Sequence, residues 1–269
     1  MNMKRFDMLT ASERDAAYDN TAAVSNSARQ LADFEDRSAR LLTQVACQQD
    51  LRYGPKERQL FDYFPGKRDA PTLIFVHGGY WQMRHKNTFR FVVDGALKQG
   101  LNAALIGYTL APQASLAQIV QEVRQGIAAV SAHAVKIGAN RHVLVSGWSA
   151  GGHLAALCLG CEAVVAGLGA SGIYDLAPIR MTYLNRALQL TEQDTDIYSP
   201  MALSAVEKPF VIAFGTQELP QLKSQSKAFS DYRLNLPGCL LPVSGADHFS
   251  ILNDLADPHG ALLPALLSA

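Results

Sequence analysis

The segment Gly147-Trp148-Ser149-Ala150-Gly151 decides the fold, because it stands between a short apolar run and a run of small, helix-forming residues. The preceding run, His142-Val143-Leu144-Val145-Ser146, is typical of a buried parallel strand, and Gly152-His153-Leu154-Ala155-Ala156-Leu157 continues as a helix. Glycines two positions before and after the serine allow a sharp turn that projects Ser149 above the sheet. In this context the pattern G-x-S-x-G predicts a nucleophile elbow.

The chain on both sides of this segment alternates between strand-like and helix-like patterns. Six further strands are predicted, at 58–64, 72–76, 103–106, 163–168, 209–214 and 240–243. Helices are predicted over 87–99 and 115–137, and the leader at 1–55 has a helical pattern of apolar residues. Such alternation predicts right-handed βαβ units, and therefore an α/β fold with a mostly parallel sheet covered by helices on both faces.

The 269 residues are expected to form a single domain, since α/β folds of this length bury about three quarters of their unfolded surface. Residues 1–55 would form an N-terminal helical cap. Residues 176–208 show no clear strand and would cross over the sheet above the active site.

The charges balance, with 24 basic and 24 acidic residues, which argues against a nucleic-acid or membrane partner and favours a small-molecule substrate. No signal peptide and no apolar span of about 18 residues is found, so a cytoplasmic location is expected.

The four cysteines do not suggest a disulfide framework, and Cys158 and Cys161 lack a second ligand pair for zinc. Neither a metal nor an organic cofactor is expected. A homodimer is compatible with the sequence, which does not determine the number of subunits.

A serine hydroxyl needs a base, and the base needs an orienting carboxylate. Among the seven histidines, His248 is the best candidate because it follows the last predicted strand. Glu218 follows the strand at 209–214, in the chain order serine, acid, histidine. Asp247 is the alternative acid, but as the neighbour of His248 it would have difficulty reaching back to the imidazole Nδ1.

The segment His77-Gly78-Gly79-Tyr80-Trp81 follows an early buried strand and offers an unobstructed backbone. The N–H groups of Gly79 and Tyr80, with that of Ala150, are predicted to form an oxyanion hole. A plain Gly-Gly turn is the simpler alternative. Gly78, Trp81 and Trp148 are candidate substrate-binding residues, and the aromatic ones would suit a planar substrate, although core packing would explain each equally well.

Arg84, Arg180 and Tyr183 are candidates for binding a substrate carboxylate, and surface solvation accounts for them equally well.

Taken together, the oxyanion-loop segment at 77–81, the elbow at 147–153, Glu218 and His248 resemble the α/β-hydrolase superfamily, in particular its kynurenine formamidase (arylformamidase) branch near the hormone-sensitive-lipase-like esterases. The resemblance covers residues 52–258. The segment Gly107-Tyr108-Thr109-Leu110-Ala111-Pro112 departs from the lipase-like D-Y-R-L-A-P. The resemblance implies a cofactor-independent serine hydrolase with an α/β-hydrolase fold.

Three functions are therefore considered. The first is hydrolysis of an N-formyl aryl amide such as N-formyl-kynurenine, through an acyl-enzyme on Ser149. The second is a carboxylesterase that acts on short acyl or aryl esters. The third is a catalytically inactive hydrolase fold that serves as a binding protein, which an intact set of serine, glutamate and histidine argues against.

Overall fold

The structure, a computed structural model, describes residues 6–269 and is built around one twisted sheet. Within those residues the sheet has eight strands in the order β1-β2-β4-β3-β5-β6-β7-β8, and only β1 with β2 and β2 with β4 pair antiparallel. The strands are β1 Gln48–Arg52, β2 Leu60–Phe64, β3 Thr72–Val76, β4 Asn102–Ile106, β5 Val143–Trp148, β6 Val164–Ala170, β7 Phe210–Gly215 and β8 Gly238–Val243. The prediction of a mostly parallel sheet is thus confirmed.

Helices cover both faces of the sheet. They are α1 Ala11–Ala16, α2 Asn20–Ala23, α3 Ser27–Gln44, α4 Asp94–Lys98, α5 Leu116–Lys136, α6 Ala150–Cys158, α7 Ala177–Arg180, α8 Asn185–Leu188, α9 Glu192–Tyr198, α10 Pro220–Tyr232, α11 Ile251–Ala256 and α12 Leu262–Ser268. Short 3₁₀ helices occupy Phe6–Met8, Lys86–Val93 and Pro200–Ala202. No helix in the described part of the chain is long and apolar enough to cross a membrane.

Two apolar cores lie on opposite faces because side chains alternate along each strand. In β3, Ile74 and Val76 point into the core beneath α5, α6 and α10, whereas Leu73 and Phe75 point into the core beneath α3, α4, α11 and α12. All four side chains are fully buried. The near-continuous apolar runs that identified the central strands follow from this burial on both faces.

The N-terminal region differs from the predicted helical leader. Helices α1 to α3 are present, but β1 adds an antiparallel edge strand at Gln48–Arg52 that the sequence analysis did not predict. Its side chains are largely exposed, so it lacks the apolar alternation by which strands are recognised. The first five residues of the predicted leader lie outside the described residues. Residues 176–208 contain α7, α8, α9 and a 3₁₀ turn.

A buried ion cluster ties β2 to the segment that follows the oxyanion loop. The carboxylate of Asp62, fully buried, accepts hydrogen bonds from Lys86 Nζ at 2.6 Å and from Arg90 Nε at 2.7 Å. Lys86 Nζ also binds the carboxylate of Asp50 at 2.8 Å. Because each buried charge has an opposite partner, the cluster fixes the 3₁₀ helix at Lys86–Val93 against the sheet.

Candidate active site

Ser149 occupies the turn between β5 and α6, as the elbow pattern predicts. Its backbone has a φ of 58°, in the left-handed region that ordinary residues seldom adopt. A Cβ atom on Gly151 would lie 1.9 Å from the carbonyl oxygen of Val76, and one on Gly147 would lie 2.0 Å from the carbonyl oxygen of Gly151. Neither position can accept a side chain, so both glycines are required for the turn to approach β3.

The imidazole of His248 faces the carboxylate of Glu218 in the loops beyond β8 and β7. His248 Nδ1 lies 3.1 Å from Glu218 Oε2, and both side chains are almost completely buried. Glu218 Oε1 accepts hydrogen bonds from the hydroxyl of Ser171 at 2.6 Å and from the backbone N–H of Gly215 at 2.5 Å. Both oxygens of the Glu218 carboxylate therefore have hydrogen-bond partners. With Nδ1 donating to Glu218, Nε2 of His248 is left free to act as a base.

Asp247, the alternative acid, is engaged elsewhere. One of its oxygens accepts hydrogen bonds from the backbone N–H groups of Phe249 and Ser250, both at 2.8 Å, and the other accepts from Gln30 Nε2 at 2.9 Å. Partial burial by itself would raise the pKa of Asp247, but these hydrogen bonds outweigh it and hold the pKa below its usual value. Asp247 shapes the histidine loop, whereas Glu218 contacts the ring.

The loop after β3 brings backbone donors next to Ser149. Gly79 and Tyr80 have φ values of 106° and 50°, and within residues 6–269 their N–H groups and that of Ala150 donate no hydrogen bond. Ala150 is the first residue of α6, where free N–H groups are intrinsic to the helix start. A Cβ on Gly78 would lie 2.9 Å from Ser149 Cβ, so this loop rests directly against the serine turn. The arrangement can supply N–H donors to an oxyanion formed at Ser149.

A buried histidine supports the same loop. His77 is fully buried, its Nδ1 donates to the carbonyl of Gly78 at 2.8 Å, and its ring stacks on Tyr108 at 4.4 Å between centroids. Burial lowers the pKa of His77 to about 3, so the ring is neutral near pH 7. His77 is thus a packing residue that holds the oxyanion loop.

The three aromatic residues near the elbow take different positions. Trp148 lines the pocket and also donates from Nε1 to the carbonyl oxygen of His248 at 2.6 Å. The hydroxyl of Tyr80 donates to the backbone of Tyr18 at 2.6 Å. Trp81 does not reach the pocket: it is fully buried, and its Nε1 donates to Nδ1 of His153 at 3.3 Å.

The assignment of Trp81 to substrate binding is therefore replaced by a packing role. The side chain of Trp81 packs in the apolar core and is absent from the pocket lining. His153, packed against it, is fully buried and donates from Nε2 to the carbonyl of Tyr198 at 2.7 Å. Burial lowers the pKa of His153 to about 4, so the ring is neutral near pH 7 and acts as a packing residue.

A small pocket joins these groups. It encloses about 280 Å³ of empty space including its mouth, and it is lined by Asn20, Thr21, Gly79, Tyr80, Met83, Arg84, Trp148, Ser149, His248 and Phe249. The hydroxyl of Ser149 makes no hydrogen bond within residues 6–269 and opens into the same space as His248. The hydrogen bond between a catalytic serine and its histidine is often long or absent without substrate and commonly forms when a substrate is bound.

Four of the lining residues are not predicted from sequence, namely Asn20, Thr21, Met83 and Phe249, whereas Arg84 is one of the candidates for binding a substrate carboxylate. Met83 and Phe249 lie within two residues of Trp81 and His248, and that proximity is the signal that could have found them. Asn20 and Thr21 reach the site only because α2 docks on the oxyanion loop, where Asn20 Nδ2 donates to the hydroxyl of Tyr80 at 2.8 Å.

A larger cleft of about 1130 Å³ lies between α5 and the turn after α6. It is lined mainly by apolar residues of α5 together with Arg124, Arg141 and the half-buried thiol of Cys161, and it contains no nucleophile paired with a base. We therefore assign the chemistry to the smaller pocket. No cluster of three or more His, Cys, Asp or Glu side chains suited to a metal ion occurs within the described residues.

Comparisons with known proteins agree with this architecture. A family model described as BD-FAE matches residues 63–169. A zebrafish (Danio rerio) protein named kynurenine formamidase is 30% identical over 250 residues, which cover 85% of this chain and 83% of that protein.

Two solved structures have the same fold. A protein from Silicibacter sp. TM1040 has a TM-score of 0.87 at 24% identity, covering 95% of this chain and 99% of its own. The esterase LipW from Mycobacterium marinum has a TM-score of 0.73 at 16% identity, covering 97% of each chain. These likenesses confirm the predicted α/β-hydrolase fold.

Proposed function

The chain belongs to the kynurenine formamidase family of α/β-hydrolases and is a hydrolase, and we propose that it cleaves an N-formyl aryl amide, such as N-formyl-kynurenine, into formate and the free aryl amine. The reaction proceeds through an acyl-enzyme on Ser149. The observation that carries the proposal is the buried contact between Glu218 and His248, whose ring lines the same pocket as Ser149, Gly79 and Tyr80.

In the first half of the reaction, Ser149 Oγ adds to the formyl carbon while Nε2 of His248 takes its proton. The carbonyl oxygen becomes an oxyanion that accepts hydrogen bonds from the N–H groups of Gly79, Tyr80 and Ala150. Glu218 keeps the imidazole in the required tautomer and stabilises the imidazolium. As the C–N bond breaks, Nε2–H protonates the departing aniline nitrogen, which is a poor leaving group without that proton.

In the second half, a water molecule adds to the formyl ester carbon and gives its proton to the same Nε2. Collapse of the second oxyanion returns this proton to Ser149 Oγ and releases formate. The small size of the pocket supports a small acyl group. Formyl is the smallest acyl group available.

The test is a kinetic comparison on purified protein of N-formyl-kynurenine with p-nitrophenyl acetate, since a competent triad cleaves activated esters whatever its natural substrate. A kcat/KM for the formamide at or above that for the ester supports the proposal. Cleavage of the ester alone rejects the formamide. Ser149→Ala should lower kcat by on the order of a million-fold if the three groups act as a unit, and it should abolish labelling by a fluorophosphonate.

A second candidate is a carboxylesterase of short acyl or aryl esters. It uses the same residues and the same steps, with an alcohol in place of the aniline as leaving group. We include the carboxylesterase function because the chain shares its fold with an esterase at a TM-score of 0.73. The substrate comparison above separates the two functions. We also propose a cytoplasmic location, in line with the sequence composition.

A further inference from the structure

Arg84 lies in the pocket, and its side chain has no hydrogen-bond or ion-pair partner among residues 6–269. Of the residues that line the pocket in the described part of the chain, Arg84 alone carries a permanent charge. Its guanidinium makes no hydrogen bond and no ion pair within residues 6–269. Glu35, the acidic residue that acts on it electrostatically, is solvent-exposed and does not contact it. A half-buried guanidinium has therefore lost part of its hydration without gaining a carboxylate.

The backbone of Arg84 is held in an unfavourable conformation. Its φ is 79°, in the left-handed region that a residue with a side chain seldom adopts. The carbonyl oxygen of Arg84 accepts a hydrogen bond from Arg58 Nη2 at 2.5 Å, which anchors the loop in this shape. Such strain persists only where the surroundings enforce it, and here it places the stem of a cation beside the oxyanion loop.

The contacts of two successive glycines, Gly78 and Gly79, show where Arg84 lies relative to Ser149. A Cβ on Gly78 would meet Ser149 Cβ at 2.9 Å, and a Cβ on Gly79 would meet Arg84 Cγ at 2.8 Å. Consecutive Cα atoms are 3.8 Å apart, so the serine and the arginine stem flank neighbouring points of one loop. Both residues line the same small pocket, so a substituent of a substrate bound at Ser149 could reach the guanidinium.

We propose that Arg84 binds a carboxylate of the substrate, so that the enzyme prefers aryl amides or esters that carry an anionic group on the leaving-group side. Arginine suits this role because its planar fork donates two parallel hydrogen bonds to a carboxylate. The other two carboxylate-binding candidates, Arg180 and Tyr183, do not line the pocket. The inference rests on the proposed hydrolysis at Ser149 but does not depend on the acyl group being formyl.

The test compares substrates that differ only in this charge. For the amide, N-formyl-kynurenine is compared with its carboxamide; for the ester, 3-acetoxybenzoate is compared with 3-acetoxybenzamide. We expect the wild-type protein to prefer the charged member of each pair. Arg84→Gln should reduce that preference about 10- to 100-fold, mainly through a higher KM, because the lost interaction is made with bound substrate as well as in the transition state.

Arg84→Lys keeps the charge without the fork and should retain part of the preference. Arg180→Gln, which removes an exposed arginine outside the pocket, is the matched control and should leave both ratios unchanged. Thermal denaturation of each variant checks that folding is intact. Equal loss of activity on charged and neutral substrates in Arg84→Gln, or a shifted ratio in Arg180→Gln, would overturn the assignment.

The formamide pair and the ester pair test the role of Arg84 and the formamidase activity separately. If neither formamide is cleaved but the ester pair shows selection that depends on Arg84, the formamidase proposal fails and the carboxylate site stands. If both formamides are cleaved at equal rates by the wild-type protein and by Arg84→Gln, the formamidase proposal stands and the carboxylate site fails.

Discussion

Replacing Glu218 with glutamine isolates the contribution of its negative charge. Glutamine is close in size, and its Oε1 can still accept from the hydroxyl of Ser171 and the N–H of Gly215. Its amide nitrogen would then face His248 Nδ1, which is 3.1 Å from the present Oε2. An NH₂ group can only donate, so the imidazole proton must move to Nε2, and Nε2 can no longer accept the proton of Ser149.

We expect Glu218→Gln to lower kcat by about 10⁴-fold, the effect typical of a wrongly protonated imidazole in such a triad. At 1.36 kcal/mol per decade this is about 5 kcal/mol of transition-state stabilisation. The fold should survive, since two of the three hydrogen bonds to the side chain are kept. The assay is kcat/KM on an activated ester, with thermal denaturation as the measure of folding.

Asp247→Asn is the matched control. The asparagine oxygen can keep both backbone hydrogen bonds of the loop, so only the contact with Gln30 changes and kcat should stay within about threefold. The reverse result, with a nearly active Glu218→Gln and an inactive Asp247→Asn of normal stability, would refute the reasoning and make Asp247 the acid.

Three further outcomes follow from described contacts. Trp148→Phe removes the 2.6 Å hydrogen bond to the histidine loop and should lower kcat about 3- to 10-fold with little change in Tm. A clearly lowered Tm with an unchanged kcat would contradict this. Asp62→Asn leaves the buried Arg90 without a carboxylate and Lys86 with that of Asp50 alone, so it should lower the free energy of unfolding in urea by about 3–5 kcal/mol, with unchanged stability counting against the cluster. The pKa values of His77 and His153 lie below the unfolded value of about 6.5, so their contribution to stability is complete above pH 6.5 and is lost as pH falls towards 4 and 3. Unfolding at pH 5 should therefore need about 4 kcal/mol less than at pH 7.5, and a flat profile over this range would contradict buried neutral rings.

The central architecture was predictable because its signals are local. Strands buried on both faces carry continuous apolar runs, and the glycines at 147 and 151 mark a turn that no other residue permits. Chain order and position after β7 pointed to Glu218, and the structure places this carboxylate against His248.

Features that depend on distant contacts could not be predicted. The edge strand β1 is largely exposed and polar, so its pattern does not differ from that of a loop. Asn20 and Thr21 reach the pocket through the docking of α2, which no local pattern encodes. Trp81 packs against His153 instead of lining the pocket, and this contact between distant parts of the chain is not visible in the sequence around Trp81.

The pocket draws on residues from Asn20 to Phe249, and long-range hydrogen bonds secure both ends of that span. Gln225 Nε2 donates to the hydroxyl of Tyr18 at 3.1 Å, and Gln30 Nε2 donates to Asp247 at 2.9 Å. Such distant pairings close large loops and form late in folding. During refolding, enzyme activity should therefore return after the sheet and its helices have formed. Recovery of activity would indicate that the whole chain has folded.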